Sequence, residues 1–268
     1  MRVGVRITAQ AADAAAELAA LPALAREAES LGFDLLVVPE RLSAEGGAPA
    51  ALPACAAALA ATERIRVATG LLALPLHHPL RVAEDAATLD ALSGGRFELG
   101  VGLGAEVEAF GGFGLDLRLR AARFEEALEV VRRAWADGPV RFEGRHFRAG
   151  EVEVHPKPVQ AGGPPLWLGA QSALALARAA KLGTGVVLEA EADPRPYLDA
   201  WRASGRAEVE ARVAFLSGGE GGLDLATLAP RLASAGAARA DVWLACPERG
   251  AIGAAAVLAT RLRSLAPG

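Results

Sequence analysis

Few side chains in this 268-residue sequence have chemistry beyond folding. Glu40 and Arg41 follow an apolar run. A carboxylate there can give or take a proton, whereas a guanidinium stays charged and can only bind or stabilise negative charge. Glu106, Glu189 and Glu191 stand at or just beyond the ends of later apolar runs. Glu40 and Glu106 are the nearest proton donors, and either needs a pKa raised by burial to donate near neutrality. A solvated or Arg-paired carboxylate is the expected state of Glu40. Of the histidines, the adjacent His77 and His78 point different ways, and no spacing among them and His146 or His155 suits a metal. His78 stands where it can order the loop before Pro79, and His146 and His155 read as surface positions. Cys55 and Cys246 are far apart and read as buried small hydrophobes. Ser217 lacks a G-x-S-x-G context, which leaves a hydrolase triad without support. Gly169-Ala170-Gln171-Ser172 precedes an Ala-rich helical stretch. Free N–H groups at a helix start suit a phosphate, and a plain Ser172 N-cap is the alternative. Gly102 and Gly104 end another apolar run, where glycine lets a backbone approach a ligand closely.

A regular alternation must position these residues. Strands are expected at Arg2–Thr8, Phe33–Val38, Ile65–Leu72, Arg96–Val101, Pro165–Leu168, Gly185–Leu188, Ala211–Leu216 and Asp241–Ala245. Helices are expected at Ala12–Leu31, Ala50–Ala61, Pro79–Leu92, Leu119–Trp135, Ser172–Leu182, Pro194–Ser204, Leu225–Ala235 and Ala251–Leu265. Eight strands alternating with eight helices read as a (β/α)8 barrel, one domain over residues 1–268. A doubly wound sheet is the competitor, but no glycine fingerprint follows the first strand. Val140–Val154 breaks the alternation as a small hairpin between the fourth helix and the fifth strand. In a barrel, ligands meet the C-terminal strand ends. Here these are Thr8/Gln10, Pro39-Glu40-Arg41, Gly70–Ala73, Gly102–Glu106, Gly169–Ser172, Glu189–Glu191, Ser217–Gly219 and Cys246.

Two stretches carry a resemblance. RVATGLLALPLHHPLRVAEDAATLDALSGGRFELGVGLG, from Arg66 to Gly104, is similar to the run G-T-x-V-x-x-x-P-L-R-H-P … A-A-T-L-D-x-L-S-G-G-R-x-x-L-G-x-G of the luciferase-like monooxygenase superfamily. That superfamily contains flavin-dependent monooxygenases and deazaflavin (coenzyme F420)-dependent oxidoreductases. PVRFEGRHFRAGEVEVHPKPVQAGGPPLWLGA resembles its second signature, and the resemblance covers about residues 1–190. It implies hydride transfer between F420 and a small organic substrate. An FMN-dependent monooxygenase using oxygen is the alternative, and a barrel that has lost catalysis and only binds is a second. A composition without Asn reads as that of a GC-rich genome, and deazaflavin is the first choice on that ground. The resemblance implies cofactor contacts from Gly70, Leu71, Gly102, Gly104, Gly169, Ala170, Gln171 and Ser172, with Glu40 and Arg41 in catalytic positions. Gly70-Leu71 falls where the family often has a non-prolyl cis peptide, with a trans bond and an ordinary bulge as the alternative. Four departures stand out. Arg41 replaces a usual histidine, and His77 replaces a usual arginine. The loop after Gly104 is short and lacks a usual aromatic residue, which Phe110-Gly111-Gly112-Phe113-Gly114 would replace as a pocket wall or leave as a flexible loop. Glu189 and Glu191 stand where neutral residues are common.

Composition narrows the partners. Net charge is −4 and no basic tract exists, so nucleic acid has no electrostatic footprint to bind. Apolar segments are interrupted well before the ~18 residues of a membrane span. MRVGVRIT lacks the layout of a signal peptide, and the cytoplasm is the default expectation. The helices at Ala50–Ala61 and Pro79–Leu92 are apolar on more than one face, so a homodimer is expected to cover them.

Overall fold

In the computed structural model, residues 1–7, 14–41, 50–216, 225–236, 239–246 and 252–265 are described. Short β-branched runs form strands β1 (Arg2–Ile7), β2 (Leu35–Val38), β3 (Arg66–Thr69), β4 (Leu72–Ala73) and β5 (Phe97–Gly102). Strands β8 (Leu166–Gly169), β9 (Gly185–Glu189), β10 (Arg212–Leu216) and β11 (Arg239–Cys246) complete the sheet. Every pairing is parallel, from β3 through β2, β1, β11, β10, β9 and β8 to β5, and β3 pairs with β5 to close the ring. This is the expected (β/α)8 barrel. The expected third strand is split: β4 resumes its direction after Gly70-Leu71 and pairs with the outer end of β5. Helices α1 (Ala14–Ser30), α2 (Ala51–Ala60), α3 (Pro79–Leu92), α5 (Arg120–Trp135), α6 (Ala173–Leu182), α7 (Arg195–Ala203), α8 (Leu225–Ser234) and α9 (Ile252–Leu265) surround it. An additional short helix, α4 (Val107–Gly112), occupies the loop after β5. The hairpin is β6 (Val140–Glu143) and β7 (Arg148–Val152), antiparallel. Gly150 lies within β7 rather than in a turn. No helix among the described residues is long and apolar enough to cross a membrane.

The interior is graded along the barrel axis. At the N-terminal end, Glu98 is 1% exposed and receives Arg2 at 2.6 Å and the Trp167 indole N–H at 2.7 Å, together with Arg66. Arg2 also holds Asp241. Burial alone would raise the Glu98 carboxyl, but the two guanidiniums and the indole outweigh it and hold it down at about 2. Above this ionic floor sit Leu35, Val37, Ala68, Val187 and Ala214 with Trp167 and Trp243, whose rings meet edge-on at 5.5 Å. Among the described residues the C-terminal end is open.

Much of the two signatures lies away from that open end. Arg96 follows Gly94 (φ 63°) and Gly95 (φ 86°), a turn that glycine makes at little cost. Its guanidinium donates to the carbonyls of Leu59 (3.1 Å), Thr62 (3.0 Å), Ile65 (2.9 Å) and Ser93 (3.0 Å), tying the end of α2 to the start of β3. Buried Asp90 accepts the amides of Val159 (2.8 Å) and Gln160 (3.0 Å) and the Gln160 side chain (2.6 Å). Lys157 donates to the Ala134 and Ala136 carbonyls at the end of α5.

Candidate active site

At the open end, β3 stops because its chain turns through a cis peptide, Gly70-Leu71. This is the cis form of the two conformations considered from the sequence. Thr69 stitches the interrupted ladder: its buried hydroxyl donates to the Gly100 carbonyl (2.6 Å) and accepts the Gly100 amide (2.9 Å). Leu71 then lies among glycines. A Cβ at Gly169 would stand 2.3 Å from its Cδ1, one at Gly100 2.9 Å from its Cδ2, and one at Gly102 3.6 Å from its Cβ. Glycine at these inward positions lets one leucine form a shelf across the barrel, above the tryptophans.

Over this shelf opens a cavity of about 620 Å³. Its wall brings together Glu40, Arg41, Gly70, Leu71, Gly102, Gly104, Gly169, Ala170, Gln171 and Ser172, all the candidates singled out from the sequence. Phe110 of α4 is buried and on the wall, whereas Phe113 is 55% exposed and is not. Glu106 and Glu189 also line it, but Glu191 does not. Ser217 and the segment after β1 lie outside the described residues.

Three expectations are corrected. Glu40 is neither solvated nor paired with arginine. Its side chain is 4% exposed, and its Oε2 accepts the Ala73 amide at 3.0 Å and meets His77 Nε2 at 3.1 Å. Arg41 instead faces Glu106 at 3.7 Å and is 60% exposed at the mouth. In the Gly169–Ser172 turn, the Ala170 amide donates to Val187 (3.1 Å) as part of the β8–β9 ladder, which leaves the amides of Gln171 and Ser172 for an anion. Ser172 caps α6 by accepting the Ala175 amide at 3.3 Å, and its own hydroxyl hydrogen remains to be donated. Finally, His146 is not a surface residue: it is half-buried, and its Nε2 has no partner. His155 is exposed, and His78 packs edge-on against Phe147. Cys55 and Cys246 are buried thiols. Burial, and next Glu40, push the Cys55 thiol up, away from reactivity.

Two wall or near-wall residues were not among the candidate site residues. Arg6 lines the cavity, and its Nε donates to the Gly70 carbonyl at 3.2 Å. Burial lowers its pKa, Glu189 works against that and Arg41 adds to it, but the guanidinium stays charged. The alternation of Arg2, Gly4 and Arg6 with buried Val3 and Val5 carried the signal that Arg6 faces inward. Glu189 is engaged by Gln171 Nε2 at 3.3 Å. The other residue is His77, on the loop before α3.

Residues 1–245 match the model of the luciferase-like monooxygenase family, and the chain belongs to it. An F420-dependent glucose-6-phosphate dehydrogenase of Beutenbergia cavernae is 36% identical over 168 residues, 60% of this chain and 49% of that protein. An alkanal monooxygenase alpha chain of Photorhabdus laumondii is 32% identical over 167 residues, 62% of this chain and 46% of that protein. The chain thus spans about half the length of these curated relatives. Monooxygenase RslO1 from Streptomyces bottropensis shares the fold, with a TM-score of 0.82 and 24% identity over 98% of this chain and 99% of that one. F420-dependent dehydrogenases and monooxygenases both stand among its relatives.

Proposed function

We propose that this protein exchanges hydride between a deazaflavin cofactor, F420, and a small organic substrate at the cavity above Leu71. The observation that carries the reading is the glycine-cleared shelf: residues without Cβ at 169 and 100 leave Leu71 free to back a flat ring. A volume of about 620 Å³ is that of a small-molecule site. The positive end of α6, with the Gln171 and Ser172 amides and the Ser172 hydroxyl, suits the cofactor phosphate. Arg41 at the mouth and Arg6 at the floor supply positive charge. The F420-dependent dehydrogenase among this chain's relatives supports deazaflavin, as the alkanal monooxygenase supports the FMN alternative. When bound, that cofactor would carry the electron pair, and the protein's part is to orient and to exclude water. Leu71, Phe110 and Leu216 provide the dry walls. Glu40 is the group placed to move a proton.

The test is titration of the purified protein with F420 and, separately, with FMN, followed by absorbance and fluorescence. Saturable binding of F420 at micromolar concentration supports the reading. Preference for FMN transfers the protein to the oxygen-using monooxygenases, and binding of neither makes it a non-catalytic binding barrel. We also propose a homodimer built on the outer faces of α2 and α3.

A further inference from the structure

The Glu40 carboxylate is held by one of its two oxygens. Both the Ala73 N–H (3.0 Å) and His77 Nε2 (3.1 Å) meet Oε2, and Oε1 has no hydrogen-bond partner among the described residues. The side chain lies on the cavity wall, so Oε1 is the atom left to meet a ligand. His77 reaches it from the loop between the 3-10 turn Leu74–Leu76 and α3, 31% exposed and outside the cavity wall. Other titratable groups face the pair from neighbouring helices. Asp85 of α3 is raised by burial but lowered by His77, and Cys55 of α2 lies close enough to feel Glu40.

We infer that His77 is the positioning residue for the site's acid–base group. Donating Nε2–H to Oε2 beside Ala73, it sets the plane of the carboxylate and leaves Oε1 as the single proton-exchanging atom. This rests on the oxidoreductase reading above. A bound deazaflavin would accept the C–H electron pair of a hydroxyl substrate as hydride, and Glu40 Oε1 would take the proton of the breaking O–H bond as the carbonyl forms. The reverse reaction returns that proton from Oε1. His77 only donates its hydrogen bond, so its role is geometry.

Two readouts test this, one of which needs no turnover. Proton NMR of the ligand-free wild type should show a far-downfield imidazole N–H resonance, lost in His77→Gln and moved upfield in Glu40→Gln. Kinetics then use F420 with a panel of short secondary alcohols, followed by deazaflavin absorbance. His77→Leu should lose kcat by about 10- to 100-fold, with KM and the F420 dissociation constant within about threefold. His77→Gln, which keeps an N–H donor, should recover most of the loss, and Glu40→Gln should recover none. A wild type without the resonance overturns the positioning role, and so does His77→Leu at the wild-type rate. So does His77→Gln no better than His77→Leu in a folded protein. F420 binding with no alcohol oxidised by the wild type overturns the reading of the reaction, and the proton-exchange role with it, while the resonance still reports separately on the pair.

Discussion

Around Glu40 an imidazole and a guanidinium have changed places. The family resemblance implies histidine at position 41 and arginine at 77, whereas this chain has Arg41 and His77. Arg41 is mostly exposed and only loosely met by Glu106 at 3.7 Å, so it is available to an anionic group entering the mouth. Arg41→Ala should raise KM or the cofactor dissociation constant by about tenfold, the worth of one hydrogen bond to a charge, with kcat unchanged. Arg41→Lys should recover part of it, and steady-state kinetics with equilibrium titration decide the matter. Loss of turnover with binding intact would put Arg41 in the chemical step. The shelf makes a second prediction. A side chain at 169 pushes Leu71, which can swing into the open cavity, so Gly169→Val should weaken cofactor binding by about tenfold or more. Folding should hardly change, as a thermal melt would show. The candidate wall was legible because glycines at strand ends are local signals. The Glu40–His77 contact was not, because it joins positions 37 residues apart and depends on how two loops meet. Arg6 needed the inward register of β1, which alternation carries only weakly over six residues.

At the scale of elements, strand and helix periodicity located the barrel, because buried parallel strands are β-branched runs between amphipathic helices. It missed the break of β3, which depends on a single peptide bond, and helix α4, whose glycine-rich sequence reads as loop. It also could not separate signature residues that build from those that bind. Arg96 and Asp90 are builders. Asp90→Ala removes one acceptor from three N–H donors and should cost roughly 2–4 kcal/mol in denaturant unfolding, with cofactor affinity unchanged. The ionic floor is also an element-level device. Free Glu titrates near ~4.3, and Glu98 is held at about 2 in the fold. A lowered folded-state pKa contributes stability above the unfolded value, and that contribution disappears as pH falls toward the folded one. Unfolding free energy should therefore drop between pH 6 and pH 3, with Glu98 accounting for roughly 2 kcal/mol of the fall. Glu98→Gln should be less stable at neutral pH and show a shallower acid slope in urea titrations at both pH values.

For the molecule as a whole, α2 is bracketed by α1 and α3 and still exposes Pro53 and Ala60, with Ala57 half-buried. Leu92 at the end of α3 is 79% exposed. Light scattering at micromolar concentration should give twice the chain mass of 27.5 kDa, and a monomer would remove the dimer from consideration. The graded interior has a kinetic meaning as well. Ionic at one end and plugged by Trp167 and Trp243 in the middle, the barrel is, among the described residues, a blind tube entered from its C-terminal end. Whatever rests on Leu71 must enter first and leave last, and a later arrival stands in its way. Turnover should follow compulsory order, with cofactor leading. High substrate should slow cofactor escape, visible as a cofactor dissociation rate that falls as substrate is added to a stopped-flow chase.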